Sequence, residues 1–253
     1  MSKTRYYDSF DTDFVESTAQ DFTLPKDYRF VRRDPWSKCL SVLCYGLALL
    51  FSSVYCGLFL RLRVHGREKL SAVKGGFFLY GNHTQPVGDV FTPALCVLPR
   101  RIYTVVSTAN YGIPVIGKLL PYLGALPITG DLRGLRKLEE AMEYRLTHGN
   151  PIVLYPEAHV WEYCTFLRPM HASAFRFPAK MQKAVFTMTV TYKKTRWRKR
   201  PKMEVFLDGP FYGEGEGVRD RAEALCRRVT ETMQARTKNS NCAYVRYEKK
   251  TKA

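Results

Sequence analysis

Residues 39–60, CLSVLCYGLALLFSSVYCGLFL, are 22 consecutive positions without a charged side chain. As a helix rising 1.5 Å per residue such a run is about 33 Å long, close to the hydrocarbon thickness of a bilayer. It constrains the chain most, because a helix apolar all round must be covered by a core or by lipid. Cations flank it on both sides, Arg32, Arg33 and Lys38 before it and Arg61, Arg63 and Arg67 after it. Basic flanks at both ends give no orientation by the positive-inside rule. They suit a segment that enters one leaflet and returns, with Gly46 or Ser52-Ser53 as the bend; a straight span and a buried core helix are the alternatives. Residues 36–61 therefore read as a membrane-embedded helical segment. The stretch before it, 1–35, is polar, with acids at Asp8, Asp11 and Asp13 and breakers at Pro25 and Pro35. It lacks the basic start and early apolar core of a secretory signal, and is expected to be a partly disordered cytosolic arm.

Charge supports the lipid reading. Forty Lys and Arg against 23 acids leave a formal +17, which calls for an anionic partner, either lipid headgroups or nucleic acid. Residues 193–202, KKTRWRKRPK, place seven cations around Trp197. Near an anionic membrane each cation is worth about 1 kcal/mol. Beside a charge-free run this favours a lipid surface, and no nucleic-acid partner is expected. The seven cysteines, Cys39, Cys44, Cys56, Cys96, Cys164, Cys226 and Cys242, form no CxxC pair. They read as free thiols of a reducing compartment, not as a disulfide framework or a metal site.

Past the apolar run, strand-like and helix-like stretches alternate. Strands are predicted over 76–80, 101–107, 124–128, 151–155, 184–192 and 203–207. Helices are predicted over 90–98, 132–148, 172–182 and 218–237, with 113–120 as a short helix or turn. Strands separated by helices argue for an α/β domain over 62–240, with a mixed, largely parallel sheet flanked by helices. Residues 241–253 read as a loose basic tail.

The chemistry gathers at YGNHTQPVGD, residues 80–89. A strand breaks at Gly81-Asn82, presents His83, and reaches Asp89 before the next helix. A histidine and an acid on a strand-to-helix loop can form a base and its orienter: the imidazole takes a proton near neutral pH while the carboxylate fixes its tautomer. The N–H groups of the turn after His83 are candidate donors to an oxyanion.

Two further stretches follow in order, LGALPI at 123–128 and NPIVLYPEAH at 150–159. Together with His83-to-Asp89, and with VHGREKL at 64–70 as a leading strand, they resemble the glycerolipid acyltransferases, the PlsC-like 1-acylglycerol-3-phosphate acyltransferases. The resemblance covers about residues 62–212. It implies transfer of a fatty acyl group from an acyl-CoA or acyl carrier protein thioester to a hydroxyl, with His83 as general base and Asp89 as its orienter. No metal or bound cofactor is expected, since nothing in the sequence has convincing metal-ligand spacing. The resemblance places Asn82 and Glu157 in the acceptor-binding set, with a lysophospholipid as acceptor and the catalytic domain on the cytoplasmic face of a membrane. Three departures stand out. Five residues, not four, separate His83 from Asp89; Ala158-His159 follows Glu157 where Gly-Thr-Arg is usual; and Thr129-Gly130 stands where an arginine is expected. Arg133, Arg136 and Arg168 are the cations available to replace the missing phosphate ligands, with His159 and His171 as further candidates. A phosphate-free acceptor is the rival substrate, and a catalytically inactive lipid-binding protein the rival class.

Overall fold

A computed structural model describes residues 3–15, 21–196 and 198–250. Trp197, the aromatic of the basic loop, lies outside the described residues. Seven strands form one sheet in the order β2-β8-β7-β3-β6-β4-β5. They are β2 (Arg63–His65), β3 (Phe78–Gly81), β4 (Tyr103–Ser107), β5 (Ala125–Ile128), β6 (Ile152–Leu154), β7 (Val185–Lys193) and β8 (Lys202–Phe211). Every pairing is parallel except β7 with β8. That pair is joined only by the basic loop, a hairpin connection, whereas a parallel pair needs a crossover.

The central strand β3 is buried on both faces, so its sequence is a continuous apolar run without alternation. Phe77 and Leu79 point into one core layer, with Phe186, Met188 and the helix α2 (Gly88–Val97). Phe78 and Tyr80 point into the other, against α4 (Leu132–Thr147) and α6 (Val218–Thr237). Both long helices were legible from apolar residues at helical spacing. The stretch 113–120 forms α3 three residues late, as Ile116–Leu123. The stretch 172–182 divides into a 3-10 turn, Ala172–Phe175, and a short α5, Arg176–Met181.

The apolar run forms α1 (Pro35–Val54), started by Asp34, whose carboxylate accepts from Ser37 N–H at 2.8 Å. It continues as a π-helical turn over Tyr55–Phe59. The helix is not interrupted at the residues offered as a bend: Gly46 lies mid-helix, and Ser52 and Ser53 donate back to the carbonyls of Ala48 and Leu49. The whole helix, Pro35–Phe59, is long and apolar enough to cross a bilayer by length and composition. One stripe, Tyr45, Leu49 and Tyr55, packs on the domain. The outer stripe, including Leu43, Leu47, Leu50, Phe51 and Val54, is exposed, as the core-helix alternative would not allow.

The arm and the tail, expected to be loose, are tied to each other. β1 (Lys3–Tyr7) pairs in parallel with β9 (Val245–Lys249), from Lys3 opposite Val245 to Tyr7 opposite Lys249. The local sequences give little sign of this, because each strand is short and charged and finds its partner only through the rest of the fold. All seven cysteines are free. Burial pushes the Cys96 and Cys164 thiols up to about 12, which keeps them protonated.

Asp208 on β8 ties the sheet to its surroundings. Arg236 of α6 donates to both its oxygens at 2.7 Å, and Lys69 Nζ donates at 2.6 Å. The Arg236 fork, and Lys69 after it, hold the carboxyl below the usual carboxylate range against the effect of burial. A lowered folded-state pKa stabilises above the unfolded value and is lost as pH falls through the folded one. Asp208→Asn is therefore expected to cost about 1–3 kcal/mol at neutral pH. Thermal unfolding of both proteins from pH 7 down to pH 2 checks this; a gap that does not narrow with acid contradicts the assignment.

Candidate active site

The C-terminal end of β3 delivers Asn82 and His83 at the edge of the sheet. Asn82 is buried, and its side-chain amide pairs with Val190 on β7, donating to the carbonyl at 3.0 Å and accepting from the N–H at 2.7 Å. The side chain extends the β3–β7 ladder by one rung. Both its polar ends are committed there, so Asn82 holds the strand end instead of facing an acceptor.

His83 Nδ1 lies 2.8 Å from Asp89 Oδ2, and the extra residue between them is absorbed at the start of α2. Gly88 makes this possible: a Cβ there would stand 2.9 Å from Gln85 Cβ and 3.0 Å from Leu60 Cδ1. Asp89 Oδ2 also accepts the N–H groups of Thr84 and Gln85, both at 2.8 Å. An oxygen already accepting two N–H bonds meets Nδ1 as an acceptor, so Nδ1 carries the ring proton and Nε2 keeps its lone pair. The His83 side chain is 20% exposed and that of Asp89 1%. Thr84 and Gln85, expected among the oxyanion donors, are thus turned inward to the carboxylate.

Tyr155, at the end of β6, lies flat on the imidazole, with ring centroids 4.3 Å apart and planes at 16°. Its hydroxyl donates to the Asp89 carbonyl at 2.6 Å, and burial holds that phenol well above its usual range. The ring fits because Gly81 has no Cβ, which would sit 2.7 Å from Tyr155 Cε1. The sequence reading missed Tyr155; its place just before Pro156-Glu157 was the available signal.

Glu157 is turned inward. Its Oε2 accepts the His83 N–H at 2.8 Å and an Arg168 guanidinium N–H at 2.9 Å, while Oε1 accepts the Arg168 backbone N–H at 2.8 Å. Both side chains of the pair are 1% exposed. Arg168 also donates to the His159 carbonyl and lies over the Trp161 ring. It is therefore an internal partner of Glu157 and not a surface ligand. His159 pairs with Asp13 of the arm at 3.2 Å. His171 is exposed just before the 3-10 turn.

His83, Asp89, Asn82, Glu157 and Arg168 thus form one cluster, and Arg133 and Arg136 do not join it. Both are exposed near the start of α4. Arg133 lines a cavity of about 460 Å³ with Lys26, Thr108, Gly130 and Lys137. Arg136 is not among its lining residues.

A family model described as Acyltransferase matches residues 61–193. Among solved structures, the crystal structure of the 1-acyl-sn-glycerophosphate (LPA) acyltransferase, PlsC, from Thermotoga maritima is similar in fold. It is 18% identical, with a TM-score of 0.58 over 83% of each chain. No curated protein sequence matches the chain.

Proposed function

The chain belongs to the acyltransferase family, whose model spans more than half of its length, and on that footing we propose a membrane-associated O-acyltransferase acting on a lysophospholipid such as 1-acylglycerol-3-phosphate. The donor in this reading is an acyl-CoA or acyl carrier protein thioester. The carrying observation is the His83–Asp89 pair, which leaves Nε2 as the accessible basic nitrogen. The acceptor hydroxyl attacks the thioester carbonyl carbon as Nε2 takes its proton. Asp89 steadies the imidazolium that forms. The tetrahedral oxyanion collapses, the C–S bond breaks, and the departing thiolate takes the proton from Nε2. The products are an ester and a free thiol, and no covalent acyl-enzyme is needed.

The membrane part of the proposal rests on α1 and its neighbours. The basic loop lies against the end of the apolar helix: Arg198 donates to the Leu58 carbonyl at 3.5 Å, and Arg61 reaches Thr195 at 3.1 Å. Cations at the rim of an exposed apolar stripe suit anionic headgroups.

For the acceptor, the basic cavity at the start of α4 is the docking site we propose for the phosphate, with Arg133, Lys137 and Lys26 in place of the family arginines. Arg133→Ala is expected to raise the KM for lysophosphatidate by about 10- to 100-fold, since a hydrogen bond to a charged group is worth roughly 1.5–3 kcal/mol, with kcat nearly unchanged. Thr129-Gly130 and the inward-turned Arg168 favour the second reading, a phosphate-free acceptor. The test is labelled acyl-CoA and acyl carrier protein thioesters with lysophosphatidate, glycerol-3-phosphate and phosphate-free lipids as acceptors. Transfer to lysophosphatidate supports the first reading; transfer only to a phosphate-free lipid moves the substrate and keeps the chemistry. Transfer to none, by folded protein, removes the enzyme reading in favour of the lipid-binding one.

A further inference from the structure

The loop after β6 does more than carry Glu157. Besides the Glu157 bond to the His83 N–H, Trp161 N–H donates to the His83 carbonyl at 3.0 Å and Tyr163 N–H to the Thr84 carbonyl at 2.8 Å. The peptide groups on either side of the His83 Cα are thus held by one loop. That loop is bent at Ala158 and Tyr163, whose φ of +61° and +57° are conformations that L side chains rarely adopt. Such a shape persists only where its surroundings enforce it.

The surroundings come from the two ends of the chain. Trp161 is fully buried. Its ring meets Tyr7, Phe10 and Phe14 of the arm, with centroids 4.8, 6.1 and 5.3 Å away, and Tyr247 of β9 at 4.8 Å. Its indole N–H donates to the Thr12 carbonyl at 2.9 Å. Arg5 pairs with Glu162 at 3.1 Å, Asp13 with His159 at 3.2 Å, and the Tyr247 hydroxyl donates to the Glu162 carbonyl at 2.8 Å. None of these terminal groups is part of the His83–Asp89 pair, yet each grips the loop that holds it.

We propose that Trp161 is a positioning residue for the transfer reaction: clamped between the N-terminal arm and β9, it fixes the backbone of His83 and with it the direction of Nε2. The inference rests on the acyltransferase reading. It predicts that loosening the clamp misdirects the base without weakening substrate binding, so kcat falls and KM does not. Position matters steeply here, because a shift of about 1 Å in a reacting group costs on the order of a hundredfold in rate.

The experiment uses the full chain with Trp161→Ala, Trp161→Phe and Phe14→Ala. Expected for Trp161→Ala is a fall in kcat of at least tenfold with the acyl-donor KM within threefold. Trp161→Phe, which keeps the aromatic stack, recovers most of the loss, and Phe14→Ala loses a few-fold. The second readout is the 15N spectrum of the His83 ring, assigned by comparison with His83→Gln, which needs no substrate. It should report Nδ1 as the protonated nitrogen in the native chain and a mixture of tautomers in Trp161→Ala. If Trp161→Ala does not fold, Phe14→Ala carries both measurements. A native kcat and an unchanged His83 ring spectrum in the loosened variants overturn the proposal. So does a KM that rises in step with the loss of rate. A native chain without transfer, whose ring spectrum still changes on loosening, separates failure of the acyltransferase reading from failure of the clamp.

Discussion

His83→Ala is expected to lower acyl transfer by about 10²–10⁴-fold, the usual contribution of a positioned general base, with the fold and lipid binding retained. Among the described residues the side chain's hydrogen bond is the one to Asp89, and Asp89 keeps the Thr84 and Gln85 N–H groups that close the turn when the imidazole is removed. Asp89→Asn makes the sharper comparison. Its side-chain oxygen can still accept the N–H groups of Thr84 and Gln85, which keeps the turn closed, and can still accept from Nδ1. The charge that steadies the imidazolium is gone. A large loss of rate in both variants, with unchanged circular dichroism and vesicle binding, is the expected result. Undiminished transfer by His83→Ala removes His83 from the chemistry.

The second large effect is on stability. Arg168→Ala leaves the Glu157 carboxylate buried with, among the described residues, the backbone N–H groups of positions 83 and 168 as its partners. Breaking a buried pair by removing one partner costs about 3–5 kcal/mol. For a chain of this size that lowers the melting temperature by about 6–20 °C. Replacing both residues by neutral ones, Glu157→Gln with Arg168→Met, is expected to recover much of that loss, because no buried charge is then left unpaired. Thermal unfolding at neutral pH checks both. A single variant that melts like the native chain shows that the pair contributes nothing to stability.

The His83–Asp89 turn and Arg168 differ in how far a local stretch of sequence decides where a side chain goes. His83 and Asp89 were legible because both sit on one strand-to-helix turn, where local spacing nearly fixes geometry. The parallel sheet was legible for a similar reason: each strand is an apolar run, and each crossover helix shows its own period. Arg168 was read as an available cation because its charge alone predicts exposure. Nothing local tells that a carboxylate eleven residues earlier takes it into the interior. The continuity of α1 through Gly46 and Ser52-Ser53 was one of two readings left open, because small residues permit a bend without requiring one. The terminal strands were missed because their pairing is decided by where the ends of the chain arrive.

The β1–β9 pairing has a consequence for the order in which the protein is made. Its two strands stand at opposite ends of the chain, so β1 leaves the ribosome long before its partner exists. Until β9 emerges, Tyr7, Phe10 and Phe14 have no Tyr247 to close over Trp161, and α1, synthesised soon after the arm, already presents its apolar stripe. Contacts of such long separation form late. In a nascent chain α1 is therefore complete while the loop behind His83 is still open, and the contacts that hold that loop close only when β9 has docked.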